Sequence, residues 1–357
     1  MTLEQHKSRL YPLLQTAMEL ELSTIPPYLT ALLSIKREAN RVAAGLIRSV
    51  MMEEMLHMVL VGNLMSSLGG KICLNQDTLP SYPLRLEFEG HGFKDREFDI
   101  NLEAFSPQAI QTFLQIELPT SLARQPQRLM AQPKISVPGI TLGEFYQRII
   151  GALDALCAAY PESAVFNGDP GRQISEQYYW GGGGKPIIIT SLAQAKAALE
   201  VIIKQGEGGD DSIFDGDEHY FDQAEEVAHY FRFNEVALGR RYRPGDKPHE
   251  PPTGEAFAVD YQAVYPIKRN PRHGDYAAGS RLATLNQQFN RQYSLMLSQL
   301  EQAFNGHPAV LYDAIVNGMH GMTPIAQEMM TLPLDDTAGA SHGAPSFEWI
   351  APPYQQA

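Results

Sequence analysis

The stretch NRVAAGLIRSVMMEEMLHMVLVGNLMSSLGG, residues 40–70, has the apolar spacing of a buried α-helix over residues 40–68. Its apolar stripe, repeating at three and four residues, is interrupted by only two side chains that can carry charge, Glu54 and His57. These two lie three residues apart, so they project from the same face of the helix. The neighbouring Glu53 falls about 100° away from that face, and we expect it to be solvated.

Two further segments place charged groups on an apolar helical stripe. Residues 3–35 form a predicted helix whose stripe is interrupted by Glu21. A helix predicted over residues 219–240 places Glu226 and His229 on one face, again three residues apart. The sequence therefore carries two Glu-x-x-His pairs and an additional glutamate, each centred on a surface that should be buried.

Buried carboxylates need partners, and here they point to metal ions. An unpaired buried carboxylate is costly, so several that converge require cations between them. Two Glu-x-x-His pairs together with single glutamates form the ligand set of ferritin-like di-iron or di-manganese four-helix bundles. Oxygen and imidazole ligands suit iron, manganese or zinc. We therefore predict a mainly α, ferritin-like four-helix bundle holding two metal ions about 3.5–4 Å apart. The plainer alternative is a pair of hydrogen-bonded core histidines.

The fourth carboxylate has two candidates. Glu117 lies on the apolar stripe of a helix predicted at residues 107–118. Glu144 follows Thr141 by three residues, a spacing typical of a capping box at a helix N-terminus. Capping explains Glu144 without a metal, so Glu117 is favoured and Glu144 is kept as the alternative.

The rest of the chain is organised around this bundle. We predict the metal-binding bundle over residues 1–240, with irregular insertions at about 71–105 and 161–218. Residues 241–357 are predicted to be a C-terminal extension, a wrapping segment followed by two helices, packed on the bundle.

Two local signals mark the first two helices. Pro26 and Pro27 fall inside the first, where proline removes a hydrogen bond and clashes with the preceding turn, so a kink or break is predicted. Gly69 and Gly70 follow the second and are predicted to terminate it.

Composition narrows the class of protein. The 357 residues carry a formal net charge of -13, which disfavours nucleic acid as a partner. No stretch has the length and apolarity of a membrane span, and the N-terminus lacks the apolar region of a secretory signal. The two cysteines, Cys73 and Cys157, cannot form a disulfide framework, so a reducing, cytoplasmic location is expected.

Several motifs resemble the ferritin-like, iminophenyl-pyruvate dimer synthase family. They cover nearly the whole chain and comprise ELELSTIPPYL (19–29), EEMLH (53–57), IELP (116–119), EVAHYFRF (226–233), AVYPI (263–267), NPR (270–272), FN (289–290) and PSFE (345–348). The resemblance implies metal-site positions at Glu21, Glu54, His57, Glu117, Glu226 and His229.

The resemblance also implies a chemistry. Characterised members of the family belong to synthases of violacein and of rebeccamycin- and staurosporine-type pigments. They are iron-dependent, are described as haem proteins, and oxidatively couple two imines derived from aromatic amino acids. We therefore expect a metal-dependent oxidoreductase of secondary metabolism that acts on a small aromatic molecule. Its cofactor would be iron or manganese, with haem admitted by the resemblance, and a homo-oligomer is expected. The alternatives are a non-catalytic metal-storage bundle and a metal-free interaction module.

Overall fold

Helices make up nearly all of the regular structure in the computed structural model, which describes residues 2–86, 98–123, 140–209 and 211–351. In chain order they are α1 (Leu3–Ser34), α2 (Arg41–Ser67), α3 (Pro107–Ile116), α4 (Thr120–Ala123), α5 (Leu142–Ala159), α6 (Glu162–Val165), α7 (Leu192–Glu207), α8 (Asp217–Phe221), α9 (His229–Leu238), α10 (Arg281–Phe304), α11 (Leu311–Asp313), a π-helical turn (Ala314–Met319) and α12 (His320–Thr331), with short 3₁₀ segments at Pro170–Arg172, His273–Asp275 and Pro308–Val310. Strand pairing within the described ranges consists of isolated bridges.

Four long helices, α1, α2, α5 and α7, form a bundle, although α7 lies within residues 161–218, which the sequence predicts to be an irregular insertion. Helix α1 packs against α2 and α5 packs against α7, while contacts of α1 with α5 and of α2 with α7 close the bundle. The short α3 packs on α9, which also contacts α2 and α7. In the C-terminal extension, α10 contacts α2 and α12 contacts α1. The predicted mainly α, four-helix architecture is confirmed. The division of the chain at residue 240 stays a prediction. Part of the first predicted insertion, residues 87–97, lies outside the described residues.

Helix α1 runs through Pro26 and Pro27 without interruption, so of the kink or break that the sequence predicts, a break does not occur. Pro27 lacks the N–H that would bond the carbonyl of Ser23, four residues earlier. The hydroxyl of Tyr82, which belongs to the first insertion, donates a hydrogen bond of 2.7 Å to that carbonyl. The acceptor that Pro27 frees therefore has a new partner, and the helix continues to Ser34.

The end of α2 follows the prediction. Gly69 adopts a left-handed conformation with φ of 80°. Its N–H donates to the carbonyl of Ser66, and the N–H of Gly70 donates to the carbonyl of Met65. This pair of bonds is a Schellman motif, which requires a left-handed residue directly after the helix, and glycine adopts that conformation most readily.

The single continuous helix predicted over residues 219–240 is wrong, because α8 ends at Phe221 and the chain is not helical again until α9. Helix α9 begins only at His229. Immediately before it, residues 226–228 run antiparallel to residues 213–215 and exchange backbone hydrogen bonds with them. Because extended backbone sends successive side chains to opposite sides, Glu226 does not share a face with His229.

Among the described residues, no helix is both long enough and apolar enough to cross a membrane.

Candidate metal centre

Five of the six predicted ligands meet inside the bundle. Glu21 comes from α1, Glu54 and His57 from α2, Glu117 from the C-terminal end of α3, and His229 from the first residue of α9. All five side chains are buried. They form two sets that could each hold an ion, and in each set one ligand atom per residue lies within 4.8 Å of the others. The first set is Glu21, Glu54 and His57, the second is Glu54, Glu117 and His229, and Glu54 belongs to both.

The shared carboxylate of Glu54 lies between the two histidines. Its Oε2 is 3.7 Å from Nδ1 of His57, and its Oε1 is 3.1 Å from Nδ1 of His229. The two imidazole rings are stacked, with centroids 5.4 Å apart and planes inclined by 24°. Each oxygen of Glu54 therefore faces a different histidine, as a carboxylate bridging two ions would.

Each set also has a carboxylate of its own, oriented by a tyrosine. Oε2 of Glu21 lies 3.1 Å from Nδ1 of His57, and the hydroxyl of Tyr146 donates to its other oxygen. The hydroxyl of Tyr28 likewise donates to Oε1 of Glu117, at 2.5 Å. Burial, together with the nearby carboxylates, raises the pKa of both tyrosines well above the ordinary value, so both remain hydroxyl donors.

The outer nitrogens of the imidazoles have partners that fix the tautomer. Nε2 of His57 lies 2.9 Å from Oε1 of Gln205, and Nε2 of His229 lies 3.0 Å from Oε2 of Glu53. Both partners are acceptors, so Nε2 carries the hydrogen in each ring. In the neutral imidazoles the lone pair is then on Nδ1, which faces the carboxylates. This is the arrangement of metal-binding histidines, whose second nitrogen is held by an oxygen acceptor.

Glu53 is buried, which contradicts the prediction that it is solvated. Nη1 of Arg232 binds its Oε1 at 2.6 Å, while Nη2 of Arg232 binds Oδ2 of Asp215 at 2.9 Å. Burial raises the pKa of Glu53, but Arg232 and His229 outweigh that effect and hold it below its usual value. The residue is therefore an ionised acceptor for His229. The prediction failed because this side of α2 packs against α9, whose Arg232 binds Glu53, and helical spacing within α2 cannot indicate such a contact.

The electrostatics of the centre favour added positive charge. Burial, and then the charge of Glu54, raises the pKa of Glu21 to about 7, against the opposing effect of His57. Burial lowers the pKa of His57, but hydrogen bonds and charge from Glu21 and Glu54 outweigh it and raise the pKa to about 10. Burial likewise lowers the pKa of His229, but its interactions with Glu117, Glu53 and Glu54 outweigh burial and raise that pKa well above its ordinary value. The imidazoles thus hold protons against buried carboxylates, and binding of divalent ions would displace them.

The residues present fit a pair of ions. Nδ1 of His229 is buried and faces two carboxylate oxygens, Oε1 of Glu54 at 3.1 Å and Oε2 of Glu117 at 3.5 Å, but neither contact has the geometry of a regular hydrogen bond. Unpaired buried nitrogens are rare in folded proteins, and a metal ligand is one explanation for them. The donors are carboxylate oxygens and imidazole nitrogens, which suit iron, manganese and zinc.

Glu226 is the predicted ligand that the structure does not bring to the centre. Its side chain is 59% exposed and lies 3.4 Å from Nη2 of Arg232. The alternative carboxylate, Glu144, forms the capping box with Thr141 that its spacing indicated. The structure therefore places Glu117 rather than Glu144 in the cluster, while metal binding by the five gathered residues stays a prediction.

We expect Glu226→Gln to leave the metal content of the purified protein unchanged, because the side chain lies outside both ligand sets. Elemental analysis of the variant beside the unsubstituted protein checks this. A loss of one ion per chain would mean that Glu226 does reach the centre.

Supporting residues that the sequence did not predict surround the ligands. They are Tyr28, Glu53, Tyr146, Gln205 and Arg232. Two of them could have been identified from the sequence, because each interrupts an apolar or aromatic pattern. Arg232 interrupts the aromatic run Tyr230 to Phe233, and Gln205 continues the apolar spacing of Ala198 and Ile202. A polar group inside such a pattern indicates a buried partner.

The family is established by comparison with known proteins. A family model described as Ferritin-like matches residues 14–238, more than half of the chain, so the chain belongs to the ferritin-like family. A solved structure, a ferritin like protein from Caulobacter vibrioides, aligns with a TM-score of 0.59 and 21% identity, covering 91% of this chain and 95% of that one. At that identity the likeness shows the fold.

A curated relative adds a more particular similarity. Dichlorochromopyrrolate synthase of Lentzea aerocolonigenes is 25% identical over 333 residues, which is 85% of this chain. The chain spans 29% of the length of that relative. The resemblance that the sequence motifs indicated, to a ferritin-like domain of chromopyrrolate-type synthases, is confirmed.

Proposed function

We propose that this chain is a metal-dependent oxidoreductase of secondary metabolism that holds two iron or manganese ions. The observation that carries the proposal is the pair of buried ligand sets joined through Glu54. Two such ions, when bound, supply redox chemistry with dioxygen or peroxide. The protein's contribution is to fix the ligands in place and to keep bulk water away from them.

The residues around the centre are arranged for that task. Tyr28 and Tyr146 hold one oxygen of Glu117 and Glu21, so the other oxygen of each carboxylate stays turned towards a histidine. A small cavity of about 20 Å³ borders the ligands and is walled by α5 and α7. That volume is enough for about one water molecule, so the centre is nearly dry.

For the substrate, we propose a small molecule derived from an aromatic amino acid, and for the reaction, oxidative coupling of its imine. The support is the similarity to dichlorochromopyrrolate synthase and the motifs shared with the iminophenyl-pyruvate dimer synthase family. Because the chain spans less than a third of that relative, coupling by this chain alone is part of the proposal.

The first test is elemental analysis of protein purified without chelator, with an absorption spectrum of the same sample. We expect about two iron or manganese ions per chain and no Soret band, since the structure provides two overlapping ligand sets. One iron with a Soret band would replace the dinuclear proposal by a haem enzyme. Iron uptake far beyond two ions per chain would indicate a metal-storage protein. Absence of metal even after reconstitution would favour the remaining alternative, a metal-free interaction module.

A further inference from the structure

The two ligand sets are alike in their inner groups and differ in what supports them from outside. Each set has its own tyrosine-bonded carboxylate, one imidazole Nδ1 and a share of Glu54. The hydrogen on Nε2 of His57 goes to the neutral amide of Gln205. The hydrogen on Nε2 of His229 goes to the carboxylate of Glu53.

This difference in the outer partner is fixed by the surrounding contacts. Nε2 of Gln205 donates to Oδ1 of Asp217 at 2.9 Å and to the carbonyl of Gly183 at 2.8 Å. These two bonds fix the amide orientation, so its oxygen stays directed at His57. Glu53 is held by the ion pair with Arg232. A carboxylate partner makes an imidazole more basic as a ligand, whereas an amide partner orients the ring without adding charge.

The two ligand sets also differ in how they border the cavity beside the centre. The cavity beside the centre is lined by Glu21, Glu54, His57 and Glu117, together with Tyr146 and residues of α5 and α7. Among the described residues that border it, His57 is the histidine present, and His229 is fully buried away from it. An ion held by His57 would therefore face the space that an incoming molecule can enter.

We infer that the two metal positions are unequal. The position of Glu54, Glu117 and His229 binds its ion first and tightly, whereas the position of Glu21, Glu54 and His57 binds second and exchanges. The second position is also the one that receives a small ligand, of the size of water or dioxygen, from the cavity. This inference rests on the proposed function, because it assumes that two ions bind.

The test is a titration of metal-free protein with cobalt(II), followed by calorimetry and visible absorption. We expect two separate steps of one ion each. Glu53→Gln keeps an acceptor for His229 but removes the charge, so it should weaken the tighter step by about 10–100-fold and leave the weaker step in place. Gln205→Met removes the acceptor of His57, so it should weaken the weaker step and spare the tighter one. Thermal unfolding of each metal-free variant checks that it has folded.

The possible failures are distinct. Binding of two ions in a single step of equal affinity would overturn the inference and leave the proposed function standing. A Glu53→Gln protein in which only the weaker step is affected would reverse the assignment and overturn it as well. If Glu53→Gln does not fold, the Gln205→Met variant still decides: a second cobalt(II) binding step with the same affinity as in the unsubstituted protein would overturn the inference. Absence of any cobalt(II) binding by the unsubstituted protein would overturn the proposed function and the inference together.

Discussion

Replacing Glu54 by alanine is expected to lower the metal content from about two ions per chain to nearly none. Glu54 is the residue that both ligand sets contain, and each of its oxygens faces a different histidine. Its loss leaves two protein ligands in each set, fewer than the three or four that protein metal sites usually have. Elemental analysis of the purified variant, prepared without chelator, gives the result directly.

Matched variants of the two unshared carboxylates serve as controls. Glu21→Ala and Glu117→Ala each disturb one set and leave the other complete, so each variant should retain about one ion per chain. Two ions in Glu54→Ala would show that this residue bridges nothing. Loss of both ions in Glu21→Ala and Glu117→Ala alike would show that the sets cannot bind separately.

Replacing Arg232 by methionine is expected to lower the free energy of unfolding of the metal-free protein by about 3–5 kcal/mol. Arg232 is almost completely buried and binds both Glu53 and Asp215, so its removal leaves Asp215 without this cation and Glu53 with the imidazole of His229 alone. Burial already raises the pKa of Asp215 to about 7 despite the arginine, which shows how unfavourable its environment is to charge. Urea denaturation measures the change.

The control is an arginine of similar pairing on the surface. Arg281 binds both oxygens of Glu328, but the side chains are 57% and 42% exposed. Arg281→Met should therefore cost less than about 1 kcal/mol. Equal losses for the two variants would contradict the view that the Arg232 network is buried and depends on its cation.

Helical periodicity was sufficient to identify most of the side chains that gather in the candidate centre. Glu21, Glu54, His57 and Glu117 interrupt apolar stripes on continuous helices, and the structure brings all four together. The argument worked because a charged group on a buried stripe must meet a partner, whichever way the helices pack. The mainly α fold followed from the same pattern, although one bundle helix, α7, lies where an irregular insertion was predicted.

Long-range contacts limited the rest. Residues 226–228 have helical spacing but are held extended by backbone hydrogen bonds to residues 213–215, and a local pattern cannot show that pairing. Burial of Glu53 depends likewise on Arg232, which is 179 residues further along the chain. Tyr82 and the carbonyl of Ser23 are a third case, in which a partner from an insertion keeps a proline-containing helix intact.

The ligands that gather around Glu54 come from widely separated parts of the chain, from Glu21 to His229. Ions bound there would act as cross-links that close long loops, and loop closure restricts the unfolded chain. Loading and folding are then thermodynamically linked, so the melting temperature should rise with the concentration of free metal ion. Metal supply in the cell would in that way set how much of this protein persists in its folded form.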